Sequence, residues 1–253
     1  AKRFVEASYA QGVDLVKLMV TGGVLDAKEK GVPGEMKMPE DMIQTICKKA
    51  HQLGLLTSAH VESTEGVKAA LRNGVDSIEH GAKPDQEMME LFKEKKAFLI
   101  TTLSPALPFA LFDPSVSKVD DTQLFNGKMV FDGIVECSKA VLENHIPVGL
   151  GNDVGCPWIT QYDFYRELVY FHKYVGVTNG FAIYTATLQN AILAGISDIT
   201  GSIDAGKQAD MIVVKENPLD DLNALKNIEL VFTKGKMVHP KIKRDKEIEQ
   251  RLD

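Results

Sequence analysis

Residues 55–80 read LLTSAHVESTEGVKAALRNGVDSIEH, and this stretch decides the fold class. Two short apolar runs, Leu55–His60 and Val75–His80, flank a segment with helical spacing, Ser63–Arg72. The helix is predicted to begin at Ser63, a residue type that caps helices, and to end at Asn73-Gly74. A strand, a helix and a second strand in this order form a βαβ unit, which joins parallel strands.

The same alternation continues on both sides of this unit. Further strands are predicted at Val13–Val20, Ala97–Thr102 and Ile146–Gly151, and helices in the first dozen residues and at Pro39–Leu53, Pro84–Lys95, Asp120–Asn144 and Tyr162–Tyr174. Nearly continuous apolar strands fit a sheet that is covered on both faces. The residues therefore predict an α/β fold, which is either an α/β barrel or a doubly wound sheet.

The last fifth of the chain has a different pattern. Short predicted strands alternate with turns at Met211–Val214, Leu230–Thr233 and Lys236–Val238. We therefore predict an α/β domain over residues 1–200, a small β domain over 201–240, and a charged tail over 241–253. The tail mixes both signs of charge without a core face, which predicts a solvated helix or a frayed end.

Composition excludes several classes of protein. The 253 residues are 44% hydrophobic and 25% charged, with a formal net charge of -6, which is typical of a soluble globular protein. An acidic chain is a poor ligand for nucleic acid or anionic membranes, and no apolar run is long enough to span a bilayer. Three widely spaced cysteines indicate free thiols in a reducing compartment. We expect a cytoplasmic protein that acts on a small-molecule substrate and forms a homo-oligomer.

Three candidate site residues lie at the end of a predicted strand or directly after it. His60 and His80 each end a strand, twenty residues apart, and Asp153 follows the strand Ile146–Gly151. The carboxyl ends of parallel strands lie at one edge of a sheet, where active sites of α/β folds occur. A single histidine is usually structural, but two at equivalent positions favour a metal site, because imidazole is the commonest metal ligand. Asp153 alone could equally be a turn or cap residue.

Lys17 is the fourth candidate. It stands alone in the apolar strand Val13–Val20, and period-two alternation places it on one face with Val13, Leu15 and Met19. A buried ammonium there is costly unless it is paired, neutralised or modified. The plain alternative is a lysine that reaches solvent at the strand end. Together with the histidines and Asp153, Lys17 predicts a divalent metal site with zinc-type chemistry.

These motifs resemble the amidohydrolase superfamily. The similarity covers nearly the whole chain, and its most specific stretches are GVDSIEHG at 74–81 and GSIDAGKQADMIVV at 201–214. The branch that it resembles most contains metal-dependent Xaa-Pro dipeptidases and carboxypeptidase-like enzymes related to imidazolonepropionase. The resemblance implies a metal-dependent hydrolase (β/α)8 TIM barrel with a small β-sandwich domain, of which this chain would supply strands four to eight and part of the small domain.

The resemblance also implies roles for the four candidates. Lys17 would be carbamylated by CO2 and bridge two zinc ions, while His60 and His80 would bind one of them. Asp153 would bind the other and transfer the proton. The implied activity is cleavage of an amide or peptide-type C–N bond through a metal-activated hydroxide, as in prolidases and other dipeptidases.

One departure from the family concerns the HxH pair that ends its first barrel strand. No HxH occurs in this sequence. We therefore expect that an N-terminal segment, roughly three βα units long, completes the barrel and carries this pair. Two alternatives stay open: a deaminase or lactonase of the same superfamily, or a catalytically incomplete fragment that is inactive on its own.

Overall fold

The computed structural model describes residues 1–252 and divides them into two compact units, Ala1–Val148 and Gly149 to the end of the described chain. The predicted boundary at residue 200 stays a prediction. The first unit contains a mixed α/β arrangement around a five-stranded sheet in the order β1-β2-β3-β4-β5. Its strands are β1 (Leu15–Met19), β2 (Leu56–Val61), β3 (Ser77–His80), β4 (Phe98–Thr101) and β5 (Val148–Leu150), which begins at the unit's last residue.

Seven helices of the described chain lie among these strands: α1 (Lys2–Ala10), α2 (Glu40–Gln52), α3 (Thr64–Arg72), α4 (Gln86–Lys95), α5 (Leu103–Leu111), α6 (Pro114–Ser117) and α7 (Asp121–Glu143). The predicted strands and helices of this unit are all present, whereas α5 and α6 were not predicted. Helices α3, α4, α6 and α7 begin at residues whose side chains cap them. Ser63 accepts a hydrogen bond from the Gly66 N–H, and Asp120 forms a capping box with Gln123 at the start of α7.

Strand pairing is parallel along β1, β2, β3 and β4. Lys17 is paired with Ser58, and His60 is paired with Glu79. The apolar side chains of β2 and β3 are buried, including Ala59, Val61 and Ile78. Burial on consecutive elements gives the sheet a fixed register, so the carboxyl ends of β2 and β3 are held side by side.

The second unit contains helices and an antiparallel sheet. Its elements are α8 (Tyr165–Tyr170), which continues as a π-helical turn, α9 (Asn179–Tyr184), a second π-helical turn (Thr185–Gln189), α10 (Asn190–Leu193), β6 (Met211–Val214), a 3₁₀ turn (Leu222–Lys226), β7 (Ile228–Thr233), β8 (Lys236–Val238) and α11 (Lys246–Leu252). The sheet order is β6-β7-β8. The helices of residues 179–193 were not predicted.

The charged tail forms helix α11 without burying any of its described residues. It is nevertheless held in place by polar contacts within the second unit. The Arg166 guanidinium donates a hydrogen bond to the Leu252 carbonyl at 2.9 Å, and the Arg251 guanidinium lies 4.9 Å from the centre of the Trp158 ring. None of the helices within residues 1–252 is both long and apolar enough to cross a membrane.

Candidate active site

Two histidines and a glutamate converge at the carboxyl ends of β2 and β3. One ligand atom from each of His60, Glu62 and His80 lies within 4.8 Å of the other two. The histidine rings are 4.6 Å apart between centroids and meet edge to face, at an interplanar angle of 74°. Both histidines were predicted from the sequence to lie at one rim, and the structure brings them together.

The backbone of His80 explains how the two rings meet. In the parallel ladder His60 is paired with Glu79, and His80 is paired with Val61, so the histidines are not equivalent partners. Alternation alone would direct them to opposite faces of the sheet. His80 has a φ of 70°, a left-handed conformation that few residues other than glycine adopt. This conformation ends β3 and redirects the His80 ring toward His60.

Thr102 fixes the orientation of the His80 ring. The Thr102 Oγ1 lies 2.5 Å from Nδ1 of His80, and both side chains are buried. When Nδ1 donates its hydrogen to this hydroxyl, the Nε2 lone pair is available to a ligand. A hydrogen bond on the second ring nitrogen is the usual way in which proteins set the tautomer of a metal-binding histidine.

The surroundings of His80 keep its imidazole neutral. Burial holds the pKa of His80 well below its ordinary value of 6.5, and the nearby charges of His60 and Lys17 lower this pKa further. A neutral imidazole is the form that binds metal ions.

Glu62 was not among the residues predicted to form the site. Its Oε2 accepts a hydrogen bond from the Val24 N–H at 3.0 Å, and its own N–H donates to Thr21 Oγ1 at 3.0 Å. The signal that would have found it is local: Glu62 follows His60 by two residues, at the point where β2 ends and the cap of α3 begins. Period-two spacing places the two side chains on the same side of the chain.

This donor set fits a divalent metal ion. Two imidazoles and one carboxylate form a common ligand combination for zinc, whose bonds to nitrogen and oxygen are about 2.0–2.2 Å long. Ligands around one tetrahedral ion are therefore separated by roughly 3.5 Å. The separation of up to 4.8 Å between His60, Glu62 and His80 closes to that spacing through small side-chain rotations.

Lys17 lies on β1, beside Ser58 of β2, and alternates with buried neighbours. The predicted grouping of Lys17 with Leu15 and Met19 on one face is confirmed, because all three are exposed while Val16 and Leu18 are buried. The sequence left two interpretations of Lys17 open, a paired or modified ammonium and a lysine that reaches solvent. In the described chain its side chain is exposed. Its charge still acts on the pKa of His80.

Asp153 belongs to the second unit and lies three residues after the end of β5. It is exposed and has a φ of 48°, so its backbone is also in the left-handed region. The Cys156 thiol donates a hydrogen bond to its Oδ2 at 3.2 Å. The assignment of Asp153 as a metal ligand stays a prediction, as does that of Lys17.

Among the described residues, Glu79 is not a member of this cluster. It is half-buried and accepts a hydrogen bond from the Ser58 hydroxyl, a residue on the neighbouring strand. A hydrogen bond of this kind is typical of a structural carboxylate.

Comparison with protein families gives a match over most of the chain. The model of the amidohydrolase family matches residues 5–238. Among proteins with curated descriptions, ochratoxinase from Aspergillus niger is 27% identical over 241 residues, which make up 93% of this chain and 48% of ochratoxinase. The chain thus spans about half the length of the curated relatives that it matches.

Solved structures show the same pattern of similarity. A crystal structure of a Bifidobacterium longum protein, provisionally described as a prolidase, is 37% identical and has a TM-score of 0.93, covering 99% of this chain and 62% of that one. A Xaa-Pro dipeptidase crystallised with methionine in its active site is 30% identical with a TM-score of 0.80, covering 94% of this chain and 59% of that one.

Proposed function

The chain belongs to the amidohydrolase family, and from this we propose that it forms part of a metal-dependent hydrolase that cleaves an amide or peptide-type C–N bond. The observation that carries the proposal is the cluster of His60, Glu62 and His80 at the carboxyl ends of two neighbouring parallel strands. A site with these ligands at this edge of a sheet is typical of hydrolytic metal centres.

We also propose that β1 to β5 correspond to strands four to eight of a (β/α)8 barrel, and that β6 to β8 belong to a small β-sandwich. The sequential order of the five strands supports this, since neighbours in a barrel are consecutive in the chain. The likeness to longer solved structures also supports it, because it extends over nearly all of this chain.

In the proposed site, His60, His80 and Glu62 would hold a zinc ion. The family resemblance adds Lys17 and Asp153, the first as a carbamate, as ligands that complete a site for two ions. The Lys17 ammonium would first lose a proton, and its Nζ would then add to the carbon of CO2 and release a second proton as the carbamate forms. A bound divalent metal supplies activation of water and polarisation of the scissile carbonyl.

In this scheme the protein's own residues orient the metal-binding side chains and transfer protons. Thr102 holds the His80 ring through Nδ1, which leaves Nε2 available to a ligand. Asp153 accepts the proton of the attacking water on a carboxylate oxygen and delivers it to the leaving nitrogen, because an amine is too basic to depart unprotonated. The carboxylate ends the cycle ionised, ready for the next substrate.

Dipeptides with a C-terminal proline are the substrates that we propose first. The similarity to a Xaa-Pro dipeptidase and to a protein described as a prolidase supports this choice. The net charge of -6 gives no attraction to polyanions, which fits a small substrate better than a nucleic acid.

The test uses protein expressed from its complete reading frame, loaded with zinc and assayed with Xaa-Pro dipeptides, N-acyl amino acids and lactones. Hydrolysis of dipeptides that disappears on chelation and returns with zinc is the expected result. Activity that survives complete metal removal would contradict the proposed chemistry. Turnover of lactones alone would move the protein to a different substrate class.

A further inference from the structure

A large cavity opens directly beside the cluster of His60, Glu62 and His80 in the first unit. Its volume is about 930 Å³, which is at the upper end of the range found for small-molecule sites. Its walls come from the loop between β1 and α2 (residues 30–34), the ends of β2 and β3, and one side of α7.

The cavity is a built feature, because a buried side chain ties two of its walls together. Asn126 of α7 is fully buried. Its Oδ1 accepts a hydrogen bond from the Gly31 N–H at 2.8 Å, and its Nδ2 donates to the Glu29 carbonyl at 2.9 Å. One amide therefore fixes the loop to the helix through both its donor and its acceptor.

Two glycines let the walls approach closely. A Cβ at Gly34 would lie 2.5 Å from the backbone carbonyl atoms of Glu62, so the loop passes directly over the end of β2. A Cβ at Gly127 would lie 2.9 Å from backbone atoms of Phe109, so α7 is pressed against α5. Neither contact leaves room for a side chain, which keeps the cavity in a defined shape.

The lining is largely apolar, and part of it is exposed. Phe125 and Met129 are one helical turn apart on α7 and are 52% and 46% exposed, and Val32 across the cavity is 46% exposed. Pro33, Leu124 and Val130 extend this apolar surface. Large apolar side chains that remain exposed around a concave site gain free energy when an apolar ligand covers them.

Charged groups surround the apolar lining without filling it. Lys30, Lys83 and Lys128 contribute positive charge, and Lys128 is paired with Asp132 at 3.3 Å. The remaining acidic side chains of the lining are Glu62, Asp121 and Glu136. Since both signs are present, charge does not select an ionic ligand, and the apolar surface is the dominant feature.

The cavity is continuous with the cluster of two histidines and Glu62. Glu62 belongs to both, and Ser63 and Gly81, which directly follow Glu62 and His80, also line the cavity. A substrate with its scissile bond at the cluster would therefore extend one substituent into the cavity. We infer that the cavity binds a bulky apolar side chain of the amide substrate, such as a phenyl or branched aliphatic group. This inference rests on the proposed hydrolase function.

The experiment compares two dipeptides that differ only in this side chain. The ratio of kcat/KM for Phe-Pro over that for Gly-Pro is measured for the zinc-loaded wild type, for Met129→Gln, and for Phe125→Ser. A single methylene group in a matching apolar pocket is already worth about 10–200-fold in kcat/KM. Wild type should therefore favour Phe-Pro, and each variant should lose about 10-fold of that preference.

Met42→Gln is the matched control. Met42 is 42% exposed on α2 and does not line the cavity, so this variant should keep the wild-type ratio. Wild type without a preference for Phe-Pro, or variants that keep the full preference, would overturn the inference while leaving the hydrolase function standing. Absence of hydrolysis of both dipeptides by wild type would overturn the proposed function itself, and the assignment of the cavity with it.

Discussion

The imidazole rings of His60 and His80 meet edge to face with 4.6 Å between their centroids, although the two residues are not partners in the β2–β3 ladder. The left-handed backbone of His80 allows this ring contact. The conformation is unfavourable in energy for a residue with a Cβ. Backbone strain of this kind persists where the surrounding structure enforces it, and such positions cluster at functional sites.

The first prediction concerns Glu62 as a metal ligand. Replacement of Glu62 by Gln keeps the size of the side chain and its hydrogen bond from the Val24 N–H, but removes the negative charge. Metal affinity should fall by at least about 10-fold. Loss of a residue that only hydrogen-bonds to a metal ligand already lowers affinity by this factor, and Glu62 is proposed as a ligand itself. Isothermal titration with zinc measures this change.

Glu94→Gln is the control for this substitution. The Glu94 side chain is 66% exposed on α4, next to Lys95, and lies outside the cluster. The Glu94→Gln variant should bind zinc with the same affinity as wild type. An unchanged zinc affinity in Glu62→Gln would remove Glu62 from the site.

The second prediction concerns the hydroxyl of Thr102. In Thr102→Val the shape is kept, while Nδ1 of His80 loses its hydrogen-bond partner. We expect zinc affinity to fall about 10- to 100-fold, since partners that orient a metal-binding histidine have effects of this size. Thr102→Ser should restore most of the affinity.

The neighbouring residue offers a matched control. Thr101 is also buried, and within residues 1–252 its hydroxyl has no hydrogen-bond partner. Thr101→Val should therefore leave zinc affinity unchanged. Equal losses in the two variants would show that the Thr102 effect is a general result of packing at the end of β4.

The sequence was sufficient to predict every strand of both sheets. Each strand is a short apolar run, bounded by turn residues and followed by a helix or a further turn. Because the runs alternate with amphipathic helices, parallel pairing of β1 to β4 followed from the pattern as well. The carboxyl-end positions of His60 and His80 are a direct consequence.

Helix α5 could not be predicted from local preferences. Its sequence, LSPALPFAL, contains Pro105 and Pro108, which argue against a helix. Pro105 lies in the first turn, where the N–H has no partner within the helix, so it costs no hydrogen bond. Seven residues of the helix are buried, and α5 packs against α7 through Phe109 and Gly127. Tertiary packing therefore outweighs propensity here.

The site was predicted only in part, because its geometry depends on backbone details. Period-two alternation cannot reveal that His80 leaves the strand with a φ of 70°. Glu62 lies beyond the apolar run, so the strand pattern does not mark it as a site residue. The exposure of Lys17 depends on which elements cover β1, and a pattern within one strand does not show this.

The third prediction concerns the pH dependence of stability through Asp85. This residue caps α4, and its pKa lies below the ordinary value of 3.8, first because it accepts the Met88 N–H and then because it is paired with Lys68 at 2.9 Å. A lowered pKa in the folded state means that the ionised carboxylate stabilises the fold above pH 3.8. This contribution is lost as the pH falls through the lowered value.

Asp85→Asn keeps a capping side chain and removes the charge. At pH 7 its urea denaturation midpoint should be slightly lower than that of wild type, as for a partly exposed ion pair. The difference should shrink as the pH falls below 3.8. Asp14→Asn, an exposed position outside this cluster, should not change the midpoint at either pH. If the difference in urea midpoint between Asp85→Asn and wild type increased as the pH fell, the predicted direction of the pH dependence would be wrong.

The fourth prediction concerns Asn126 and the loop that it holds. Asn126→Ala removes the hydrogen bonds to the Gly31 N–H and the Glu29 carbonyl. The free energy of unfolding of the first unit should fall by about 1–3 kcal/mol, the sum of two ordinary hydrogen bonds. Amide hydrogen exchange at Gly31 should become faster. Lys139→Ala, an exposed position on the same helix, should change neither quantity.

The last prediction concerns Asp153 and the proton of the proposed reaction. Asn has the same shape and still accepts the hydrogen bond from the Cys156 thiol, but an amide oxygen is too weakly basic to take up a proton. In Asp153→Asn kcat should fall by at least about 100-fold, the lower end of what general acid–base catalysis contributes. The variant should keep its fold and a substantial share of its metal, so zinc stoichiometry is measured beside kcat for each preparation.

Cys156→Ala is the companion variant, because it removes the thiol contact and leaves the carboxylate in place, and it should retain most of the activity. Near-normal turnover in metal-loaded Asp153→Asn would remove Asp153 from the mechanism, and Glu62, which lies in the histidine cluster, would then be the next carboxylate to test.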